Sequence, residues 1–504
     1  MKKVITIALI LLSLQSRGQE ITKVVREISN LNEHYGWATA VNAEWMIIGS
    51  PHSTTIDGVD AGEVHIYQLQ SGVWQEFQEL RNESGASFEN FGYSVAINGS
   101  WMAVGVVGSF HWGPFSGAVL LYNFNGSEWV LEREYYPAVE MPNQWFGYSL
   151  DMNDDFLVVG SINSNGKNVE SGDVFVYQDY KSRQSIPTSL AQSSNLSHDN
   201  FGYAVGISSG NEIIVGAPDY DGESESSGQA YIYTYSRERW NKSAILTSEE
   251  EGVSDMFGVS VAISDTKALV GSLLGNGTTK NSGTAYYFER ENNRWTRIQK
   301  LNADNGLLNE YFGATVKIVD DIIAIGAPKA TVDGQKHAGK LYSFTSDGNT
   351  WTQAKEIFEP VPKSDNHFGS GIALGSGQII VSALLNDDLN SDAGQVYAGR
   401  IDVLTTIDPI GLEPLIAANA YPVPSRSTVN IHYSLPSTTK VGLHIYDSMG
   451  KLVSPILDNE LQLHGDHTVI WDLNYSNGTR ASSGIYIYKL SYGGNVFSSK
   501  IIVN

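Results

Sequence analysis

One pair of residues, an aromatic side chain followed by glycine, recurs along most of this chain every 55 or 56 residues. It is found at Tyr35-Gly36, Phe91-Gly92, Phe146-Gly147, Phe201-Gly202, Phe257-Gly258, Phe312-Gly313 and Phe368-Gly369. A second pair, a small residue followed by glycine, keeps the same period. It is found at Ala61-Gly62, Ser116-Gly117, Ser171-Gly172, Ser227-Gly228, Ser282-Gly283, Ala338-Gly339 and Ala393-Gly394. Two independent markers on one period define an internal repeat, which constrains the fold more than any other feature of a sequence.

Each repeat contains four segments of strand length. One is a continuous apolar run such as Leu157-Val158-Val159-Gly160, and another alternates in polarity, such as Val174-Phe175-Val176-Tyr177. A third carries charges and begins with tryptophan, and the fourth starts at the aromatic-Gly pair. The tryptophans are Trp74, Trp129, Trp240, Trp295 and Trp351. The third repeat has none, so we expect its charged strand to be irregular.

These repeats predict an all-β protein with a seven-bladed β-propeller over residues 19–405, because four short strands repeated seven times are typical of that fold. No long segment has the 3.6-residue apolar period of a helix. The last repeat ends without a charged strand, and the chain begins with two unmatched segments, Ile21–Ile28 and Tyr35–Val41. We therefore expect these N-terminal strands to complete the last blade and close the ring.

The order of strands within a blade is a separate prediction. Continuous apolarity implies burial on both faces, so we expect the apolar run at the propeller axis and the aromatic-Gly strand outside. The segment from Phe201 to Pro218 would then straddle two blades. Its Phe-Gly strand would end one blade, and Ile213–Pro218 would begin the next.

The repeats resemble the FG-GAP family, which includes the propellers of integrin α-chains and many secreted bacterial proteins. Phe201-Gly202 with Gly216-Ala217-Pro218 matches the family pattern in full, and Phe312-Gly313 with Gly326-Ala327-Pro328 does so too. The resemblance implies a binding or adhesion module outside the cell. Because propellers also carry hydrolases and lyases, an enzyme acting on extracellular polysaccharide is the alternative.

The resemblance also implies calcium, held by an Asp-x-Asp-x-Asp-Gly run whose oxygens suit a hard cation. The closest match here is Asp219-Tyr220-Asp221-Gly222-Glu223, which is one spacing short, with Asp219, Asp221 and Glu223 as ligands. The second candidate lies in the seventh repeat, with Asn386, Asp388 and Asp392. Asp, Asn and Gly also favour turns without any metal, so both readings remain open at this stage.

One loop of the second repeat is aromatic where the others are polar, with Phe110, His111, Trp112 and Phe115. Exposed aromatic rings can stack on sugars or anchor a protein partner. An extracellular glycan or protein ligand is one interpretation of this loop. The other is that Trp112 and Phe115 fold back over their own hairpin.

Composition narrows the partners and the compartment. A net charge of −23 disfavours nucleic acid, whose binding depends on basic contacts to phosphate. Residues 1–18 have the basic start and short apolar core of a secretory signal peptide, with cleavage expected between Gly18 and Gln19. No other run is long enough to span a membrane, so we expect no transmembrane segment.

The last part of the chain departs from the repeat. Residues 406–419 contain two prolines and no alternation, which indicates a linker. Residues 420–504 predict a small β-sandwich. Its expected strands are Thr428–Leu435, Val441–Tyr446, Thr468–Trp471, Ile485–Leu490 and Lys500–Val503.

This tail closely resembles the type A sorting domain of the type IX secretion system, which Bacteroidota use. The matching residues include Tyr421, Pro422, Pro424, Asp447, Gly450, Gly484 and Lys500. The resemblance implies that the secretion machinery is a partner, and that the protein crosses the periplasm to be released or displayed at the cell surface.

Overall fold

The structure is a computed structural model. It describes residues 21–24, 32–83, 85–164, 171–190, 199–221, 226–248, 255–348, 350–388, 390–405, 418–421, 423–435, 439–447, 450–463, 465–475, 478–492 and 495–503. The chain divides into two compact units, Glu20–Thr406 and Ile407–Asn504 together with the N-terminal Met1–Gln19. The predicted signal peptide with Gly18 and Gln19 lies outside the described residues, as does most of the predicted linker.

The first unit contains seven four-stranded antiparallel sheets, which are the blades of a propeller. Blade 1 contains the strands Ala38–Val41, Trp45–Ser50, Glu63–Gln70 and Val73–Leu80. Blade 2 contains Phe91–Asn98, Trp101–Val106, Ala118–Phe124 and Trp129–Tyr135. Blade 3 contains Phe146–Met152, Phe156–Ser161, Asp173–Gln178 and Pro187–Ser189. Blade 4 contains Ala204–Ile207, Glu212–Ala217, Gln229–Ser236 and Arg239–Leu246. Blade 5 contains Phe257–Ser264, Lys267–Ser272, Thr284–Glu291 and Arg294–Leu301. Blade 6 contains Thr315–Val319, Ile322–Ala327, Lys340–Ser346 and Trp351–Ile357. The all-β fold predicted from the repeats is confirmed.

The seventh blade is completed from the other end of the chain. It contains Phe368–Gly375, Gln378–Ala383 and Gln395–Arg400, and its outermost strand is the N-terminal Thr22–Lys23. Thr22 pairs with Ala398 and Lys23 with Tyr397. Closure by the N-terminus is therefore confirmed for the first segment. It is wrong for Tyr35–Val41, which leads into the first strand of blade 1, and residues 25–28 lie outside the described part.

The predicted strand order is wrong. The strand that follows each aromatic-Gly pair is innermost, because the seven such strands contact one another in a ring around the axis. The apolar run is the second strand, and it is buried between the faces of adjacent blades. The innermost strands carry small side chains such as Ala40, Ala96 and Ala262 where seven backbones converge. Phe201 to Pro218 consequently lies at the start of one blade.

The aromatic-Gly pair itself still joins two blades. Phe201 forms a parallel bridge with Gly172 of the preceding blade, and the same bridge recurs at Phe146, Phe257, Phe312 and Phe368. A hydroxyl three residues after the aromatic then bonds the glycine carbonyl of the next blade at 2.6 to 2.9 Å. These bonds are Ser94 to Gly147, Ser149 to Gly202, Ser260 to Gly313 and Thr315 to Gly369.

The outer strand of blade 3 has only three residues, Pro187–Ser189, as the missing tryptophan predicted. A short 3-10 helix, Ile401–Leu404, follows the last strand of the propeller, and the Ser343 hydroxyl bonds the Leu404 carbonyl at 2.7 Å.

The second unit consists of two sheets. One contains Ala418–Tyr421, Val429–Leu435 and Gly465–Trp471, and the other Leu452–Gln462, Thr439–Asp447, Gly484–Tyr492 and Asn495–Val503. Both contribute to one core, in which Trp471 of the first packs on Tyr486 of the second. The strand Leu452–Gln462, which contains Pro455, is not among the predicted strands. It is an edge strand, where a missing N–H is tolerated.

Candidate functional site

The long loops of the propeller gather at one end, which we call the loop face. In an antiparallel blade, the loop between the second and third strands lies at the same end as the connection to the next blade. The aromatic-Gly pair also lies there, at the start of the innermost strand. The loop face therefore surrounds the mouth of the central channel. At the opposite end, short turns such as Asp265-Thr266 join the strands.

At five junctions in the described part of the propeller, the residue before the small-Gly pair lies beside the residue before the following aromatic-Gly pair on the loop face. We call them a junction pair. In each, the N–H of the second donates to the carbonyl of the first at 3.0 to 3.3 Å. The pairs with this bond are Asp60/Asn90, Phe115/Trp145, Ser226/Met256, His337/His367 and Asp392/His34. All ten residues have a left-handed backbone, with φ between +48° and +56°.

A constant frame thus displays side chains that vary from blade to blade. Left-handed φ is uncommon outside glycine and requires local support, which the paired backbone supplies. The two residues of most pairs are 30 positions apart in the chain. Variable side chains on a rigid frame around a channel are typical of a binding surface.

The aromatic junction pair extends into a longer aromatic band. The rings of Phe115 and Trp145 stack with centroids 5.8 Å apart, and Phe110 lies 6.4 Å from Phe115. Trp145 contacts Tyr148 at 6.2 Å. Phe110 is 46% exposed, whereas Phe115 and Trp145 are half-buried.

Tyr148 belongs to an arc of four rings that line the mouth on successive blades, two residues after each aromatic of the repeat. Trp37, Tyr93, Tyr148 and Tyr203 contact in that order, with centroids 5.3, 5.2 and 5.1 Å apart. The phenol of Tyr148 lies near those of Tyr93 and Tyr203 and interacts electrostatically with both. Burial raises the pKa of Tyr93 to about 12 and that of Tyr148 still further, so these phenols stay neutral.

The other side of the mouth is built from smaller residues. The positions equivalent to the arc are Val259, Ala314 and Ser370 on blades 5 to 7. The mouth is therefore asymmetric, with a wall of rings on one side and smaller side chains on the other. Of the remaining predicted aromatic residues, His111 is exposed and stacks on Tyr136, and Trp112 is half-buried.

Two charged side chains lie on the innermost strands, Asp151 of blade 3 and Lys317 of blade 6. The five equivalent positions on the other blades hold alanine or glycine. Asp151 accepts hydrogen bonds from the N–H groups of Ile207 at 2.8 Å and Met152 at 2.9 Å. Burial raises the pKa of its carboxyl, although Lys317 acts in the opposite direction.

The predicted calcium residues of blade 4 lie in the loop after its second strand. Asp219 accepts a hydrogen bond from the Asn200 side chain, and Asp221 accepts one from the Ser226 N–H at 2.8 Å. Burial, with the nearby Asp221 charge, raises the pKa of the Asp219 carboxyl. Glu223 lies outside the described residues.

The predicted calcium residues of blade 7 are engaged differently. Asp388 forms ion pairs with Lys23 at 2.8 Å and Lys363 at 2.5 Å, and these lower its pKa against the effect of burial. Asn386 is buried, and its amide donates to Glu359 at 2.9 Å. Asp392 belongs to a junction pair. Two ammonium groups are thus already paired with Asp388.

Sequence reasoning missed a set of buried polar side chains two residues before each aromatic-Gly pair. They are Glu33, Glu89, Gln144, Asp199, Asp255, Glu310 and Asn366. Glu310, for example, accepts the N–H groups of Leu307 at 2.9 Å and Thr331 at 3.3 Å, so it braces the loops of the junction. Aligning the repeats on the aromatic would have revealed this position, because every blade has an acid or an amide there.

A second omission is a group of two histidines and a carboxylate at the junction of blades 6 and 7: His337, Asp365 and His367. From the sequence, His367 is interpreted as part of the loop composition before an aromatic-Gly pair rather than as part of a metal site. Burial lowers the pKa of His367, and Lys329 and His337 add to the effect.

The predicted sorting residues occupy turns and strand ends of the second unit. Tyr421 ends a strand and is half exposed, and the Val423–Pro424 peptide is cis. Asp447 accepts the Lys451 N–H at 2.9 Å in a turn that needs Gly450 at φ +82°. Gly484 opens its strand, and Lys500 pairs with Ile487. Pro422 is outside the described residues.

Comparisons with known proteins identify both parts of the chain. The FG-GAP repeat model matches residues 74–122, 129–177, 189–233, 240–288 and 295–344. The propeller thus contains five FG-GAP repeats. The model for the secretion system C-terminal sorting domain matches residues 419–504. This domain marks the protein for export to the cell surface by the type IX system, as its resemblance implied.

The similar proteins include an animal integrin and a bacterial surface protein. Mouse integrin alpha-2 is 27% identical over 173 residues, which make up 31% of this chain and 14% of the integrin. The chain therefore spans a small part of that relative. PorZ, a surface component of the type IX secretion system of Porphyromonas gingivalis, superposes with a TM-score of 0.44 at 14% identity, covering 95% of this chain and 61% of PorZ. In the described part of the chain, we find no helix that is both long and apolar enough to span a membrane.

Proposed function

We propose that the propeller is an extracellular binding module that captures its ligand at the aromatic side of the channel mouth. The observation that supports this most strongly is the unbroken band from Phe110 through Phe115 and Trp145 to the arc at Tyr148. Ligand sites are concave, mostly apolar and largely pre-formed. The contacts between neighbouring rings and the paired junction backbone hold these rings in place before any ligand arrives.

A glycan suits this wall better than a flat protein surface does. Aromatic faces pack against the apolar faces of sugar rings, and the phenols at the edge can hydrogen-bond hydroxyls. The small residues opposite, Val259, Ala314 and Ser370, leave room for a ligand end to enter the mouth. Adhesion to surface polysaccharide would follow from display by the sorting domain.

The side chains of the innermost strands favour a binding function over polysaccharide hydrolysis. Glycoside hydrolysis typically uses two carboxyl groups roughly 5 to 10 Å apart. The seven innermost strands contribute one, Asp151, and its oxygens are engaged by backbone N–H groups. A carboxylate beside Lys317 is better suited to orienting a polar ligand.

The test is a screen of the full chain against extracellular glycans and proteins, comparing the wild type with Phe115→Ala/Trp145→Ala. Losing two stacking rings should weaken glycan binding at least about tenfold, which corresponds to ~1.4 kcal/mol. Ile186→Ala is the matched control, because this side chain is 82% exposed near the outer strand of blade 3. Unchanged binding in the double variant, or binding to proteins alone, would contradict the glycan site.

Calcium is proposed for the blade 4 loop, where Asp219 and Asp221 offer carboxylate oxygens. A bound cation would stabilise the charged form of Asp219, which burial and the Asp221 charge disfavour. Calcium titration should release or absorb heat and raise the melting temperature by about 2 °C or more. Asp219→Asn should remove the effect, whereas Asp388→Asn should leave it, because Asp388 is already paired with lysines. The absence of heat, together with a melting temperature that a chelator leaves unchanged, would show that these loops are only turns.

A further inference from the structure

Three metal-binding side chains converge on the loop face between blades 6 and 7. One donor atom each from His337, Asp365 and His367 lies within 4.8 Å of the other two. The Nδ1 atom of His337 is 2.8 Å from a carboxylate oxygen of Asp365. The two imidazole centroids are 6.2 Å apart and nearly perpendicular, with an interplanar angle of 71°.

The blade frame holds the three residues in this arrangement. The backbone N–H of His367 donates to the His337 carbonyl at 3.0 Å, and the backbone N–H of Asp365 donates to the Lys336 carbonyl at 2.9 Å. All three backbones are left-handed, at φ +55°, +65° and +56°. A small rotation of the side chains would therefore suffice to place three donors around one ion, and the backbone would not need to move.

We propose that His337, Asp365 and His367 form a binding site for a transition-metal ion of the Zn²⁺ class. Two imidazoles and one carboxylate match the ligands that Zn²⁺ takes, and three protein ligands leave a fourth tetrahedral position open. Calcium prefers six to eight oxygens and is not favoured here. This site differs in ligands and in location from both predicted calcium loops.

The surroundings suit a divalent cation. Asp365 and Asp392 both act electrostatically on His367, against a single ammonium, that of Lys329. The Lys329 ammonium is held over the Tyr311 ring, 4.2 Å from its centroid. The side chains of His337 and Asp365 are 46% and 70% exposed, so the open position faces solvent. A ligand atom from a bound molecule could complete the coordination.

Two histidines also lie close together at the neighbouring junction, between blades 7 and 1. His34 and His52 lie with ring centroids 5.0 Å apart, and Asp60 is 3.9 Å from His52. Within the described ranges, these three are not among the groups whose donors all converge within 4.8 Å. Among the described residues, a second group, His65, Glu76 and Glu79, also has donors within 4.8 Å of one another, but it offers only one imidazole. Two imidazoles and a carboxylate converge only at the junction of blades 6 and 7 within these described groups.

The experiment is a Zn²⁺ titration of the chelator-treated full chain by calorimetry, with Co²⁺ absorption as a second readout. We expect one high-affinity site and the visible bands of four-coordinate Co²⁺. His367→Asn and His337→Asn should each weaken Zn²⁺ binding more than about 100-fold, since loss of a direct ligand exceeds the 10- to 100-fold effect of outer contacts. His444→Ala, in the second unit, is the control and should bind like the wild type.

Asparagine is chosen because it already occupies the equivalent backbone positions on other blades. Asn90 and Asn200 occupy the position of His367 on other blades, and Asn281 occupies that of His337, all with left-handed backbones. Unchanged melting temperatures without metal would show that both variants fold. Binding that survives in both variants, six-coordinate Co²⁺ spectra, or displacement of Zn²⁺ by equimolar Ca²⁺ would each overturn the site.

Discussion

Replacing Gly216 by alanine should destabilise the propeller by about 4 kcal/mol, in the range of the most disruptive single substitutions. A Cβ at this position would lie 1.9 Å from the carbonyl oxygen of Gly258 in the next blade. The Gly216 Cα that would carry the new Cβ and the Gly258 oxygen both belong to backbones that are fixed by the ring. Neither backbone can move away without opening the junction between the two blades. The measurement is urea unfolding followed by tryptophan fluorescence.

The matched control is Gly210→Ala in the same blade. The nearest heavy atom to its added Cβ is Ser208 Oγ at 3.7 Å, so we expect a change within about 0.5 kcal/mol. Equal stability of the two variants would mean that the blades do not pack as closely as described. Blade 7 shows how a side chain can be accommodated. Ser382 replaces the glycine there, and the inner strand has Gly371, whose own Cβ would lie 2.6 Å from Ser382 Oγ.

Deleting residues 420–504 should abolish display at the cell surface and leave the propeller in the periplasm. The deleted segment is the matched sorting domain, and it has its own hydrophobic core around Trp471. The cores of the blades, by contrast, lie within the first unit. The propeller should therefore fold without the tail. Surface protease treatment and fractionation of intact cells measure the outcome.

Ile186→Ala in the full-length chain is a suitable control, because it changes the propeller surface and keeps the tail. It should reach the surface at the wild-type level. Surface protease cleavage of the truncated protein at wild-type levels would contradict the assignment. Loss of the truncated protein from every fraction would instead show that the propeller depends on the tail for folding.

The repeat was readable from the sequence because its markers are local. A left-handed or closely approached backbone position requires glycine wherever it occurs. Gly228, for example, has φ +79°, and a Cβ there would lie 2.1 Å from the Phe257 carbonyl oxygen. Seven copies of that requirement predicted the number of blades. The sequence also placed the closing strand at the N-terminus, since the last repeat was incomplete.

The strand order could not be read in the same way. The Ile213–Pro218 run and the strand from Phe201 are both apolar, and burial on two faces fits either position. Crowding at the axis decides between them, because seven strands meet there and five of the seven equivalent positions hold alanine or glycine, such as Ala96 and Gly206. This crowding arises only after the ring closes, so no local sequence pattern predicts it.

The candidate sites show the same division. The unusual loop with Phe110 and Phe115 stood out by composition, but its continuation through Trp145 to Tyr148 joins two connections that are far apart in the chain. His337 and His367 gave no spacing signal of a metal site, because they meet only through the hydrogen bond of their junction pair.

The sequence by itself determined the period, the all-β class, the closure by the N-terminus and the sorting tail, since each rests on local chemistry repeated or matched along the chain. Only the tertiary structure decided which strand lines the channel and which side chains face each other at its mouth. The physical reason is that junction pairs bring together residues 30 positions apart, by backbone hydrogen bonds that exist only between closed blades.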